Sequence, residues 1–137
     1  MLRKTLLATV CASLVLSSAL PAAAATRQQL QSEQGPLSVT PVVEGLDHPW
    51  ALAFLPDRQG ILVTERPGNL RLVGADGKLS APLGGVPQVW AKGQGGLLDV
   101  VLSPDFKQDR LVYLSYAEGG GEGGTAGTAV GRGRLSE

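Results

Sequence analysis

An all-β fold is predicted for this chain of 137 residues by three features of its sequence. From residue 39 onward, short apolar runs alternate with clusters of Pro, Gly, Asn and Asp, which is typical of strands joined by turns. Asp76 and Gly77 form a strong hairpin signal. No segment keeps the hydrophobic period of an amphipathic helix, so we expect strands and turns throughout this part of the chain.

Residues 1–25 have the three parts of a secretory signal. Arg3 and Lys4 form a basic start, residues 5–20 are apolar, and small residues end the segment. This predicts cleavage near Ala25 and a periplasmic or secreted protein. The alternative is a transmembrane anchor, which needs about 20 apolar residues. Because neither this run nor any later one is that long, we expect no membrane anchor.

Composition limits the classes of partner and chemistry. Basic and acidic residues number 12 each and no basic run occurs, which argues against nucleic acid as the main partner. The single cysteine, Cys11, lies inside the predicted signal. The mature chain therefore offers no disulfide, no thiolate metal site and no cysteine nucleophile. No Gly-x-Ser-x-Gly motif supports acyl transfer.

The chain after the signal divides into a short lead-in and a β domain. Residues 26–37 are polar and rich in Gln, which predicts an extended lead-in. Residues 38–137 carry the strand pattern, and their first predicted strands are 50–55, 61–64 and 70–73. Turn clusters containing Pro or Gly separate these strands, so we expect antiparallel neighbours.

An internal repeat indicates how the strands are organised. The apolar run that ends in Pro56-Asp57 is echoed by the run that ends in Pro104-Asp105, and the two prolines lie 48 positions apart. A period of roughly 40–50 residues with three or four strands is the size of one β-propeller blade. A closed propeller has about four to eight blades. The sequence therefore predicts a partial β-propeller of about two blades, the front portion of a longer protein.

Blade geometry assigns a place to the first strand of each repeat. That strand lies along the central channel, and we expect it to be apolar because it is covered on both faces. Residues 50–55 and 97–102 fit this expectation, except for Asp99. A buried carboxylate needs a partner, and Arg66 or Arg71 is a candidate for Asp99.

The last part of the chain is rich in glycine. Residues 118–124 contain five glycines and predict a flexible loop. Residues 128–135 return to a strand-like pattern. We expect them to form the third strand of the second blade.

Gln94, within Gly93-Gln94-Gly95-Gly96, is the residue that we select as a candidate ligand contact. This loop leads into the predicted inner strand 97–102, so we expect it at the rim of the central channel. Glycines let backbone approach a ligand closely, and a Gln amide both donates and accepts hydrogen bonds. Such a group suits a carbonyl-rich planar cofactor or a sugar. The alternative is a glycine-rich turn with an exposed Gln.

The other polar residues at turns have structural interpretations. His48, the one histidine, is expected to make a turn hydrogen bond near Trp50 rather than to act as a base or metal ligand. Asp57 and Asp105 are expected to accept hydrogen bonds from N–H groups of their own turns rather than to bind calcium. Residues 64–68 are expected to form a solvated turn. We predict no catalytic residue and no metal ligand in this chain.

Several stretches together carry a family resemblance that none carries alone. They are Leu46-Asp47-His48-Pro49-Trp50-Ala51-Leu52-Ala53-Phe54-Leu55-Pro56, Leu62-Val63-Thr64-Glu65-Arg66-Pro67-Gly68, Gly93-Gln94-Gly95-Gly96-Leu97-Leu98-Asp99, Ser103-Pro104-Asp105-Phe106 and Gly127-Thr128-Ala129-Val130. With them the chain resembles the soluble quinoprotein glucose/sorbosone dehydrogenase family, closest to its periplasmic aldose sugar dehydrogenase branch. The resemblance extends over about residues 38–137.

The resemblance implies a six-bladed propeller that holds pyrroloquinoline quinone (PQQ) on its axis, with calcium stabilising the fold and the cofactor. It implies an oxidoreductase that oxidises an aldose at C1 to a lactone. A His acts as general base, hydride passes to the quinone, and electrons leave to an external acceptor.

The resemblance also implies which of these roles fall within this chain. Gln94 matches the family Gln that contacts the quinone region. The family's catalytic His and its cofactor-binding Arg, Lys and calcium residues correspond to positions beyond residue 137, and His48 does not match that base. The chain alone is therefore expected to be inactive.

Two other functions remain open at this point. One is a secreted propeller that binds a ligand without redox chemistry, and the other is self-association of two-blade chains to complete a ring. A downstream His, with Arg and Lys on later inner strands, would distinguish the enzyme from the binding module. Light scattering that shows only monomer would exclude the ring.

Overall fold

The structure is a computed structural model that describes residues 27–120 and 124–136. Its strands are β1 (Gln28–Ser32), β2 (Gly35–Val39), β3 (Pro49–Phe54), β4 (Gly60–Glu65), β5 (Asn69–Gly74), β6 (Leu97–Leu102), β7 (Leu111–Gly119) and β8 (Ala126–Arg134). A single-turn helix, α1 (Phe106–Asp109), joins β6 to β7. The all-β prediction is confirmed. The predicted signal at residues 1–25 lies outside the described residues.

Two sheets of three antiparallel strands repeat the same plan. Blade 1 is β3-β4-β5 and blade 2 is β6-β7-β8, each in sequence order. The first strand of each blade shows a register shift near its start. The first hairpins close alike, since Leu55 N donates to Gly60 O at 2.9 Å and Ser103 N donates to Leu111 O at 2.9 Å. The predicted repeat is confirmed, and the fold is a partial β-propeller.

Blade 1 gains a fourth, irregular edge from the segment after β5. The turn at Asp76 and Gly77 reverses the chain, as predicted, with Gly77 at a φ of 77°. Residues 79–83 then run back along β5, and Ser80 N donates to Leu72 O at 2.8 Å. This segment covers the outer edge of β5, which would otherwise expose unpaired backbone groups.

The hydrophobic core lies between the two blades. Leu62 of β4 and Leu97 of β6 are wholly buried there. Blade 2 contributes Val100, Phe106, Val112, Leu114 and Tyr116 to the same cluster. On β3, the small residues Ala51 and Ala53 pack against this cluster. Their size allows the first strands of the two blades to lie close together, and β3 and β6 are in contact.

The opposite face of β3 corrects a prediction. The first strand was expected to be covered on both faces, but Trp50, Leu52 and Phe54 alternate with the two alanines and are 53%, 55% and 71% exposed. On β6, Val101 is likewise 54% exposed. The reason is that, within the described residues, each blade packs on one neighbouring sheet only. The expectation of double cover was therefore wrong for these strands in this structure.

The ends of the described chain also differ from expectation in detail. The lead-in predicted at residues 26–37 is a paired hairpin, β1-β2, with Gly35 at a φ of 124°. The expected boundary between residues 37 and 38 falls inside β2. The predicted last strand is present as β8, which begins two residues earlier, at Ala126. Among the described residues, no helix has the length and apolar character needed to cross a bilayer.

Candidate functional site

The candidate site is the loop of residues 93–96, which lies directly before the inner strand β6. A backbone turn from Gly95 N to Lys92 O, 2.9 Å long, shapes the loop. Gly93 has a φ of 57° and Gly96 a φ of 148°, and L side chains rarely adopt these values. The two glycines therefore allow a path that other residues would strain.

Gln94 lies at the exposed tip of this loop. Its side chain makes no hydrogen bond to any residue in the part of the chain that the structure describes. Both the amide nitrogen and the amide oxygen are therefore available to a ligand. The loop leads directly into β6, which contacts β3, so Gln94 lies three positions before the inner strand of blade 2.

The base of the loop is fixed by backbone hydrogen bonds on two sides. Leu97 N donates to Arg66 O at 3.0 Å, which ties the loop to blade 1. Ala117 N donates to Gly96 O at 2.9 Å, which ties it to β7. A β-carbon on Gly96 would collide with the Arg66 carbonyl oxygen, so only glycine permits this approach.

The Arg66 side chain reaches the tip of the loop. Its Nη1 atom donates to Gly93 O at 3.2 Å and lies 3.4 Å from Gly95 O. These carbonyl groups belong to the two residues that flank Gln94 in the chain. The Arg66 backbone N–H in turn donates to His48 O at 3.0 Å, so the arginine joins the loop before β3 to the loop before β6.

Thr64 and Glu65 continue this connection into the interior. Thr64 is wholly buried, and its Oγ1 accepts from Ala51 N at 3.0 Å and donates to Leu98 O at 2.6 Å. Glu65 is also wholly buried. Its carboxylate accepts from Asp47 N at 2.8 Å, from Asn69 Nδ2 at 2.9 Å and from Arg71 Nη1 at 3.3 Å.

These contacts overturn the prediction of a solvated turn at residues 64–68. Thr64, Glu65 and Arg66, which we call the β4 hub, connect β3, β5 and β6 where the inner strands begin. No local pattern marks this role, because the partners lie between 4 and 34 positions away in the sequence. A buried carboxylate is tolerated here because four hydrogen bonds and the Arg71 charge satisfy it.

Asp99 does not need the ionic partner that was expected for it. Its side chain is exposed, and its Oδ1 accepts from Val100 N at 2.8 Å. The register shift between Leu97 and Val100 coincides with this residue, whose side chain faces solvent although its backbone lies within β6. Neither Arg66 nor Arg71 pairs with it, so the expectation of a buried Asp99 ion pair was wrong.

The remaining polar candidates have structural contacts. His48 has a φ of 48°, and its exposed ring contacts the Asp47 carboxylate, which agrees with the predicted turn hydrogen bond. Within the described chain, the side chains of Asp57 and Asp105 accept no hydrogen bond from N–H groups of their own turns, which corrects that expectation. Asp57 instead accepts from Lys107 Nζ at 2.8 Å. Among the described residues, no group of three or more His, Asp or Glu side chains could hold a metal ion.

Ser103 makes the turn contact that was expected of Asp105. Its Oγ accepts from Asp105 N at 3.1 Å and donates to Asp109 Oδ2 at 2.6 Å. The turn between β6 and β7 is thus held by a serine and by the aspartate that follows it.

A separate cavity of about 270 Å³ lies between the outer parts of the blades, away from Gln94. Its lining is mainly aliphatic or glycine and includes Leu70, Leu83, Val86, Pro87, Val112 and Leu114. It brings together no acid–base pair and no nucleophile. The chemistry therefore points to the Gln94 loop rather than to this cavity.

Comparison with known proteins places this arrangement in a family. The family described as Glucose / Sorbosone dehydrogenase matches residues 46–137. Aldose sugar dehydrogenase YliI of Escherichia coli (strain K12) is 59% identical over 122 residues, which are 89% of this chain and 30% of that protein. The chain thus spans about a third of the length of this relative.

Solved structures agree with the sequence comparison. The apo form of the soluble aldose sugar dehydrogenase from Escherichia coli has a TM-score of 0.65 at 67% identity, over 67% of this chain and 26% of that one. The PQQ-bound form of aldose sugar dehydrogenase from Streptomyces coelicolor has a TM-score of 0.55 at 32% identity, over 82% of this chain and 29% of that one. The chain belongs to the glucose/sorbosone dehydrogenase family.

Proposed function

We propose that residues 38–137 contribute two blades and one cofactor contact to a PQQ-dependent aldose dehydrogenase. The observation that carries this proposal is the Gln94 amide, which is exposed on a glycine-supported loop beside the inner strands and has no partner in the described chain. Family membership and the PQQ-bound relative support the choice of cofactor.

The residues present fit part of what PQQ requires. An amide that donates and accepts suits the carbonyl groups of a quinone. The cofactor's carboxylates need cations, but Arg66 already donates to the loop and Lys92 Nζ lies 4.5 Å from the Trp90 ring centroid. We therefore assign the carboxylate contacts, the general base and the calcium ligands to later parts of the full-length protein.

In catalysis, the role of residues 38–137 is to position the cofactor or the sugar. When bound, PQQ supplies a two-electron acceptor for the hydride at C1 of the sugar, which becomes a lactone. Gln94 orients an oxygen of the cofactor or of the sugar through one hydrogen bond. The glycines on either side let that oxygen approach the loop closely. General-base catalysis needs an acceptor near the C1 hydroxyl, and we expect residues 26–137 alone to be inactive for lack of one.

The test is an assay of the full-length protein supplied with PQQ and calcium. We expect glucose-dependent reduction of a dye, which serves as the external electron acceptor, and a lactone as the product. Gln94→Ala should lower kcat/KM about tenfold, the loss expected for one hydrogen bond in a site. Gln108→Ala, an exposed glutamine on α1, should have no effect. Sugar binding without dye reduction would contradict the proposal and favour a binding module.

We also propose export of this protein to the periplasm. The basic start, apolar run and small residues of segment 1–25 support this. Mass spectrometry of the periplasmic fraction should find a mature N-terminus at Thr26. An uncleaved N-terminus recovered with the membrane would contradict the proposal.

A further inference from the structure

We infer that Arg66 is a positioning residue that orients Gln94 toward the cofactor. The inference rests on the proposed function, since it assigns to Arg66 a role that acts through the Gln94 contact. The base and the tip of the Gln94 loop are held in different ways. The base is held by backbone hydrogen bonds to Arg66 O and from Ala117 N, which do not depend on the identity of any side chain.

The tip is held differently. The turn from Gly95 N to Lys92 O lies within the loop. The tip is joined to blade 1 by a side chain, because the Arg66 guanidinium donates to it. One nitrogen, Nη1, contacts the carbonyl oxygens of both Gly93 and Gly95. These carbonyls belong to the peptide before Gln94 and to the peptide after Gly95, so the arginine holds the backbone at both ends of the two-residue segment that contains Gln94.

Glycines on both sides of Gln94 make this contact important. Glycine has more backbone freedom than any other residue, so the one turn from Gly95 N to Lys92 O leaves a segment with Gly at 93, 95 and 96 only partly fixed. An external restraint is then needed to hold the backbone at Gln94, and with it the direction in which the side chain leaves the loop. Preorganisation of this kind lowers the entropy lost when a ligand binds.

Arg66 is itself well placed to act as that restraint. It follows the wholly buried Thr64 and Glu65 at the end of β4, and its backbone N–H donates to His48 O at 3.0 Å. The guanidinium is planar and carries several donors in a fixed geometry, whereas the ammonium of lysine is a compact point charge. Replacement by lysine should therefore restore the loop only in part.

The first measurement is hydrogen–deuterium exchange of the full-length protein. Arg66→Gln should raise the exchange rate of the hydrogen-bonded loop amides, Gly95 and Leu97, about tenfold, since local opening of the loop becomes easier. Arg66→Lys should give an intermediate increase. Arg132→Gln is the matched control, because Arg132 is exposed on β8 and its side chain makes no hydrogen bond within the described chain. Unchanged exchange in Arg66→Gln would overturn the inference.

The second measurement is a double-mutant cycle on PQQ affinity and on kcat/KM for glucose. Arg66→Gln should weaken PQQ binding about tenfold in the parent protein, because misplacement of a positioned group has effects of this size or more. In a Gln94→Ala background the same change should have almost no effect, because the group that it positions is already gone. Equal losses in both backgrounds would show a purely structural role and overturn the inference.

Failure of the proposed function gives a different result from failure of the inference. If the parent protein neither binds PQQ nor oxidises sugar, while Arg66→Gln still raises exchange at Gly95 and Leu97, the function is wrong and the cofactor role of Arg66 falls with it. If the parent is active and Gln94→Ala impairs it, but Arg66→Gln does not, only the inference about Arg66 falls.

Discussion

The two faces of β3 are both apolar, but their surroundings are very different. Ala51 and Ala53 face blade 2 and pack on its core, whereas Trp50, Leu52 and Phe54 on the other face are more than half exposed. The larger side chains are therefore on the uncovered face. Apolar character in a propeller strand thus indicates a contact surface, but it does not tell which neighbour provides the contact.

The comparison also shows which part of the molecule holds the two blades and the Gln94 loop in place. The junction between the blades combines apolar packing with the buried hydrogen bonds of the β4 hub, and it also fixes the Gln94 loop. The uncovered face contributes no such bonds within the described residues. Stability and site geometry should therefore respond strongly to changes at the junction and weakly to changes on the exposed face.

The largest expected difference is between two leucines on adjacent strands of blade 1. Leu62 is wholly buried at the junction, and Leu52 is 55% exposed. Leu62→Ala should lower the free energy of unfolding by about 3–4 kcal/mol, because it removes packing and leaves a cavity. Leu52→Ala should lower it by less than about 1 kcal/mol. Denaturant unfolding of both variants measures the difference, and equal losses would break the comparison.

Removing the buried carboxylate of the β4 hub should have a similar but smaller effect. Glu65→Ala leaves Arg71 Nη1, Asn69 Nδ2 and the N–H group of Asp47 without this acceptor, although Arg71 still donates to Ser80 O. Breaking one side of a buried ion pair usually destabilises by about 3 kcal/mol. Glu44→Ala is the control, because Glu44 is exposed. A loss at Glu65 no larger than that at Glu44, measured by the same unfolding experiment, would contradict the assignment of a hub.

Two glycine substitutions, compared with each other, test the close approach of the two blades. Gly96→Ala introduces a β-carbon against the Arg66 carbonyl oxygen and strains a φ of 148°, so we expect a loss of about 2 kcal/mol. Gly127→Ala on β8 meets nothing within 4 Å and should be neutral or slightly stabilising. Thermal unfolding of the two variants checks this. A neutral Gly96→Ala would mean that the blades can separate there without loss.

The sequence predicted local structure well because local structure depends on local pattern. The predicted strand 97–102 coincides with β6, and the predicted turn at Asp76 is present. The position of Glu65 was missed because its partners, Asp47 and Arg71, lie on other segments.

Burial was harder to predict than strand position. The outward orientation of Asp99 coincides with a register shift that apolar periodicity does not reveal. Likewise, the sequence pattern shows that β3 is apolar on both faces. A face is buried only where a neighbouring sheet covers it, and the pattern does not show whether such a sheet is present. The Gln94 loop was identified from its glycines, yet the arginine that holds it was not, since Arg66 precedes it by 28 positions.

The smallest expected effect is electrostatic and lies at the turn of blade 2, outside the apolar junction. The Leu111 backbone N–H, the Ser103 hydroxyl and the Arg134 charge lower the pKa of Asp109 below its ordinary value of 3.8. A carboxylate with a lowered folded-state pKa stabilises the fold above its unfolded value, and this stabilisation is lost as pH falls through the folded value. Stability should therefore decline in acid below about pH 4, and Asp109→Asn should flatten that decline.

Ser103→Ala distinguishes the contributions that the two hydrogen-bond donors make to the lowered pKa of Asp109. It removes the hydroxyl but keeps the Leu111 N–H, which makes the larger contribution to the lowered pKa. Its acid dependence, measured by unfolding at a series of pH values, should thus lie between those of the parent and Asp109→Asn. An unchanged acid decline in Asp109→Asn would assign it to other carboxylates, such as Asp76, whose pKa is lowered by its hydrogen bonds with Lys78. The distinction matters because Asp76 lies in blade 1, so the two outcomes assign the acid sensitivity to different blades.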